Sequence, residues 1–91
     1  MEDYISITLS FGCTLKIERE ALDDQELLDA LATMDEDAKA YLEVMNRLLG
    51  PEKKTLYEAL RNESGRVKAS AVNAAVTEIL NLLTEDIQAK N

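Results

Sequence analysis

From Ile5 to Ile17 the apolar residues Ile5, Ile7, Leu9, Phe11, Cys13, Leu15 and Ile17 hold the odd positions. Ser6, Thr8, Ser10, Gly12, Thr14, Lys16 and Glu18 hold the even ones. Successive side chains of a strand point to opposite faces, so this alternation predicts extended structure with one buried face. Gly12 is the one tight-turn residue inside the run, which divides it into two strands, about 4–10 and 13–18, joined near Phe11 and Gly12. A single bent strand is the alternative reading. Either form needs covering by other elements, because an isolated hairpin is marginal in water.

After Ala21 the period changes from two to that of a helix. Asp23 or Asp24 can accept from the free amides of a helix start, and Leu27, Leu28, Leu31 and Met34 recur at helical spacing, giving a first helix over about 24–33. Asp35 is placed to cap a second, about 36–49, with the apolar set Ala38, Tyr41, Leu42, Met45, Leu48 and Leu49. Gly50 suits a left-handed helix end and Pro51 the first turn of a third helix, about 51–62, which buries Leu56, Ala59 and Leu60 with Tyr57 beside them. Asn62 to Gly65 has turn chemistry, Val67 suits a short extended stretch, and Ser70 suits the cap of a last helix, about 71–84, with Val72, Ala75, Val76, Ile79, Leu80 and Leu83 as its stripe. Residues 85–91 are polar and are expected to fray. The expectation is one α+β domain over residues 1–91, an N-terminal β-hairpin packed on three to four helices, with no internal repeat or linker.

Composition supports a packed domain. The chain has 91 residues, 46% hydrophobic and 31% charged, a balance that supplies enough apolar side chain for one core. Its net charge of −8 is uneven: residues 1–45 carry 12 acidic against 3 basic side chains, and residues 46–91 carry 6 against 7. The first half repels a polyanion and the second lacks a dense basic stripe, which argues against nucleic acid as a partner. The acidic half reads either as a solvated face or as a docking surface for a basic partner. The chain has no basic leader with an apolar core and no run of about 18 or more apolar residues, so the expectation is no membrane partner and a cytoplasmic protein.

Candidate chemistry is sparse. There is no histidine and one cysteine, which removes His-dependent triads and zinc sites of the usual Cys/His spacing. Cys13 sits in the alternating run and reads as a small buried hydrophobe. The Asp35, Glu36, Asp37 cluster fails as a calcium loop, because its sixth and twelfth positions are Ala40 and Asn46 where glycine and glutamate are required. Gly12, Gly50 and Gly65 are too widely spaced for a phosphate cradle. No catalytic, cofactor-binding or metal-binding residue is assigned, and the expectation is a protein that is not an enzyme. Helices three and four are poor material for a helix-turn-helix, since the last has no Arg or Lys before Lys90. What remains is apolar surplus: Leu22, Leu28, Leu49, Tyr57 and Leu82 lie beside their stripes, and either widen the core or form a patch for another chain.

Three stretches together carry a resemblance: IEREALDDQELLDAL from Ile17 to Leu31, LLGPEKKTLYEALR from Leu48 to Arg61, and SGRV from Ser64 to Val67. They are similar to small proteins of the tail modules of phages and prophages of Gram-positive bacteria, often likened to tail assembly chaperones. The resemblance runs over about residues 13–82 and rests on helix and turn signatures. It implies a chaperone that binds the tape-measure or tail-tube protein until the tail polymerises, in the cytoplasm of the host cell. Leu28, Leu49, Tyr57 and Leu82 are the candidate protein-binding residues. The alternative is a structural tail or head-tail connector subunit, a homo-oligomer whose hairpin edge pairs with its neighbours. An acidic regulatory or DNA-mimicking protein is a third reading.

Overall fold

The computed structural model describes residues 3–89. Its architecture is α+β, an antiparallel hairpin followed by four helices. Strand β1 runs Tyr4–Thr8 and β2 runs Thr14–Glu18, with Ile5 opposite Ile17 and Ile7 opposite Leu15. The alternation makes Ile5, Ile7, Leu9, Leu15 and Ile17 the buried face and leaves Tyr4, Ser6, Thr8, Thr14, Lys16 and Glu18 exposed. The hairpin therefore replaces the bent-strand alternative. Both strands are shorter than expected, because the Leu9 N–H donates to the Cys13 carbonyl at 2.8 Å while the Leu9 carbonyl accepts from Gly12 at 2.9 Å. That second bond turns the chain before the ladder can extend. Gly12 has φ of 94°, a left-handed conformation that costs a residue with a Cβ about 1–2 kcal/mol.

A 3-10 turn, Arg19–Asp23, leads from β2 into α1, Gln25–Thr33. Asp24 is the cap, accepting from the amides of Glu26 at 2.9 Å and Leu27 at 3.3 Å. Helix α2, Ala38–Leu49, begins later than expected and is capped by Asp37 rather than Asp35. The cause lies at the end of α1, where the Thr33 carbonyl accepts from both Glu36 and Asp37, so Asp35 is taken up in the turn. The buried face of α2 also differs. Ala40, Val44, Met45, Leu48 and Leu49 point inward, while Ala38 and Leu42 are exposed.

Gly50, with φ of 53°, donates to the Asn46 carbonyl at 3.0 Å and ends α2. Pro51 then precedes α3, Glu52–Leu60, in which Leu56 is fully buried, Tyr57 and Leu60 are partly buried and Ala59 is exposed, contrary to its expected burial. The helix stops at Leu60, short of 62, because Arg61 turns to extended backbone and Asn62 organises the next turn. The Asn62 Oδ1 accepts from the amides of Ser64 and Arg66, both at 3.0 Å. Helix α4, Ala69–Ala89, starts two residues earlier than expected and runs past 84. The Lys68 carbonyl accepts from Ala71 and Val72, which places Ser70 inside the first turn instead of at its cap. Val67 lies in irregular backbone and is partly buried. Residues 85–89, expected to fray, continue α4 instead, and the rest of that expectation falls on residues 90 and 91, which lie outside the described residues.

The core joins the inner hairpin face to all four helices. Leu15, Ile17, Val44, Leu56 and Ile79 have no exposed surface, and burying a side chain of this size completely contributes about 1.5–3 kcal/mol. Helices α2 and α3 pack on β2, and α1 packs on α2. Leu56 sits at the meeting of α3 with this core. Leu56→Ala is expected to lower unfolding free energy by about 2–5 kcal/mol, read from urea melts; a change below about 1 kcal/mol would contradict burial of Leu56 in the core.

Candidate protein-interaction surface

Where α2, α3 and the start of α4 meet, they leave an apolar groove of about 230 Å³ lined by Tyr41, Leu42, Met45, Tyr57, Val67, Ala69, Val72 and Asn73. Leu42 is 51% exposed, an unusual state for a leucine on a helix whose neighbours fill the core. Two tyrosines shape the groove. The Tyr41 hydroxyl donates to Asn73 Oδ1 at 2.7 Å, tying α2 to α4, and the Tyr57 hydroxyl lies 4.0 Å from Met45 Sδ. Burial, and then the proximity of Tyr57, raises the Tyr41 pKa above the usual phenol range, so the hydroxyl stays a neutral donor. Lys53 Nζ lies 5.8 Å from the centre of the Tyr57 ring and donates to Asn46 Oδ1 at 2.9 Å. A tyrosine presents a broad apolar ring with one polar tip, which is the composition of many interface anchors.

Electrostatics organise the rest of the surface. Arg47 near the end of α2 reaches Asp24 at 3.1 Å, Glu26 at 3.2 Å and Glu43 at 2.8 Å, gathering three carboxylates around one guanidinium. For Asp24 desolvation pushes the pKa up, but the amides of Leu27 and Glu26 and the Arg47 guanidinium together outweigh it, and the net shift is downward. Arg47 is shifted upward, chiefly by its bond to Glu43. Two further carboxylates hold the hairpin. Glu52 Oε1 accepts from the Lys16 amide at 3.0 Å, and Glu78 accepts from both the amide and the hydroxyl of Ser10, at 2.7 and 3.0 Å. A wider depression of about 460 Å³ beside β2 holds Lys16 and Arg47 together with Glu18 and Glu52, so no single sign of charge converges there.

The candidate residues separate in space. Tyr57 lines the groove. Leu28 is 48% exposed on α1, and Leu49 is only 3% exposed and lies in the core away from the groove that Met45 floors. Leu82 is partly buried and packs against the core. Periodicity hides Leu42, because it fits the helical stripe expected for α2, whereas Tyr41 is readable from the sequence either as a core-rim residue or as an interface anchor. The competing frame of Ala40, Val44 and Leu48, spaced by four, is the signal that the true inner face lies elsewhere. Cys13 is partly buried, and its pKa is raised first by desolvation and then by Glu52, the opposite of an activated thiol. Among the described residues no group of three acidic, Cys or His side chains is arranged to hold a metal ion, and no helix is long and apolar enough to cross a membrane.

No family model, no curated protein and no solved structure matches this chain.

Two outcomes test these electrostatics. A group whose folded pKa is depressed stabilises the fold above its ordinary range and loses that contribution as pH falls through the depressed value. Arg47→Met should therefore lower the urea midpoint at neutral pH, and its gap to wild type should close as acid protonates Asp24; a gap that persists unchanged in acid contradicts the ion-pair account. Cys13 should react with iodoacetamide more slowly than a free small thiol at about pH 8, with a rate still climbing above the ordinary cysteine range.

Proposed function

We propose that this chain is a non-catalytic protein-binding module, of the kind that serves as a tail assembly chaperone and holds a tape-measure or tail-tube protein in the host cytoplasm before polymerisation. The groove of Tyr41, Leu42, Met45, Tyr57 and Val72 is the observation that carries this reading. A helical client buries one apolar stripe, and a groove between helices is the usual receptor for such a stripe. The three stretches that resemble tail-module proteins supply the client class. The concentration of acidic residues in the first half supports it further, because like-charged complexes repel one another and stay dispersed.

The groove refines the candidate residues. Tyr57 remains the anchor, Leu42 joins it on the rim, and Leu49 drops out because it is buried away from the groove. The structural-subunit alternative draws on a different feature, the outer edge of the hairpin. Presence of the chain in purified virions favours the subunit, and absence favours the chaperone.

Co-expression with the neighbouring tape-measure or tail-tube protein is expected to raise the soluble yield of one of them and to copurify it. Tyr57→Ala should weaken that complex by about tenfold or more, the loss typical of a buried aromatic anchor, while leaving the far-ultraviolet circular dichroism unchanged. Unchanged client solubility together with no copurification would refute the chaperone reading.

A further inference from the structure

The hairpin guards one of its edges and leaves the other open. In an antiparallel pair, alternate residues bond within the ladder, and those between them turn their N–H and C=O groups outward. Asp3 accepts from Arg19 and Leu9 donates to Cys13, so the odd residues of β1 bond inward. The outward amides are those of Tyr4, Ser6 and Thr8 on β1, and of Thr14, Lys16 and Glu18 on β2. On β2 the Lys16 amide is capped by Glu52, and α3 packs against the strand. In the loop the Ser10 amide is capped by Glu78. Among the described residues the amides of Tyr4, Ser6 and Thr8 have no such partner. Their side chains are uncharged, so the open edge carries neither the lysines nor the prolines with which monomeric proteins block strand addition.

We propose that β1 is a dimerisation edge, and that its occupant is β1 of a second copy of this chain, antiparallel across a two-fold axis at Ser6. Three observations select this occupant and register. Only a register with Ser6 opposite Ser6 and Tyr4 opposite Thr8 engages all the outward groups, each pair exchanging bonds in both directions. The same register sets Ile5 of one copy opposite Ile7 of the other, and of the inward-facing strand residues these two keep a little surface: Ile5 is 9% and Ile7 7% exposed, against none for Leu15 and Ile17 on β2. It also sets Asp3 opposite Leu9, whereas parallel in-register pairing would set Asp3 beside Asp3, a like-charge pair. The product is a four-stranded antiparallel sheet with isologous contacts, its two outer edges the β2 strands. It is independent of the client-binding reading, since the groove lies on the helices.

Sedimentation velocity of the full chain up to about 0.5 mM should show a concentration-dependent dimer. Ser6→Lys and Ser6→Glu place like charges opposite each other at the axis and should each weaken it by about fivefold or more. An equimolar mixture of the two should restore dimerisation, a result that a merely structural effect of either substitution would not give. Amide exchange at Tyr4, Ser6 and Thr8 of the wild-type chain should slow as concentration rises, and this measurement needs no variant. A wild-type chain that stays monomeric throughout, a mixture that fails to recover, or exchange independent of concentration each overturns the proposal. Dissociation of the dimer by added salt also overturns it, because a neutral edge between two acidic chains should pair more tightly when their repulsion is screened.

Discussion

A two-stranded sheet cannot hide its own apolar face. Ile5, Ile7, Leu9, Leu15 and Ile17 all project to one side of the hairpin, and a pair of short strands has no second layer to place over them. Every later element answers to that demand. Helices α2 and α3 pack on β2, Leu56 and Ile79 complete the dry interior, and α1 reaches the rest of the molecule mainly through α2. The polar devices follow the same logic. Glu52 and Glu78 are helical residues, yet each spends a carboxylate on a hairpin amide, fixing the helices in position over the strands as well as against them.

How much of this was legible in the sequence depended on how local the governing chemistry is. The hairpin was readable because an alternation of seven apolar positions around a single glycine admits few structures. The cap of α1 was readable to within one residue, Asp23 or Asp24, and the Gly50-Pro51 junction was readable too, because a cap or a positive φ is decided within a few residues. The errors fall where two local solutions compete. Asp35 and Asp37 are both good caps, and the choice was made by the Thr33 carbonyl, which holds both Glu36 and Asp37. Ser70 lost its capping place because the Lys68 carbonyl already accepts from Ala71 and Val72.

The candidate surface was less legible, for a reason that is geometric. An apolar residue beside a helical stripe is pushed inward or outward by what its neighbours pack against, and that is a tertiary fact. Leu49 and Leu28 both look marginal in sequence, yet Leu49 is in the core and Leu28 is half exposed. Leu42 looks central, but the small side chain of Ala40 lets α2 turn that frame toward the core and leaves Leu42 at the groove rim. Tyr57 stood out in the sequence as an aromatic beside its stripe, and it lines the groove.

The clasp between Ser10 and Glu78 joins residues 68 positions apart. Its consequence concerns order of events rather than stability. During synthesis the hairpin emerges before the helices; α2 and α3 then cover β2, but the loop finds its partner on Glu78 only once α4 has followed. Contacts of such sequence separation are slow to form, because a long loop must close before they are rewarded. For that interval the nascent chain displays a strip of isoleucine and leucine that the mature fold conceals, which is the state most exposed to aggregation. A chain proposed to guard another's apolar surface would thus meet the same need during its own synthesis.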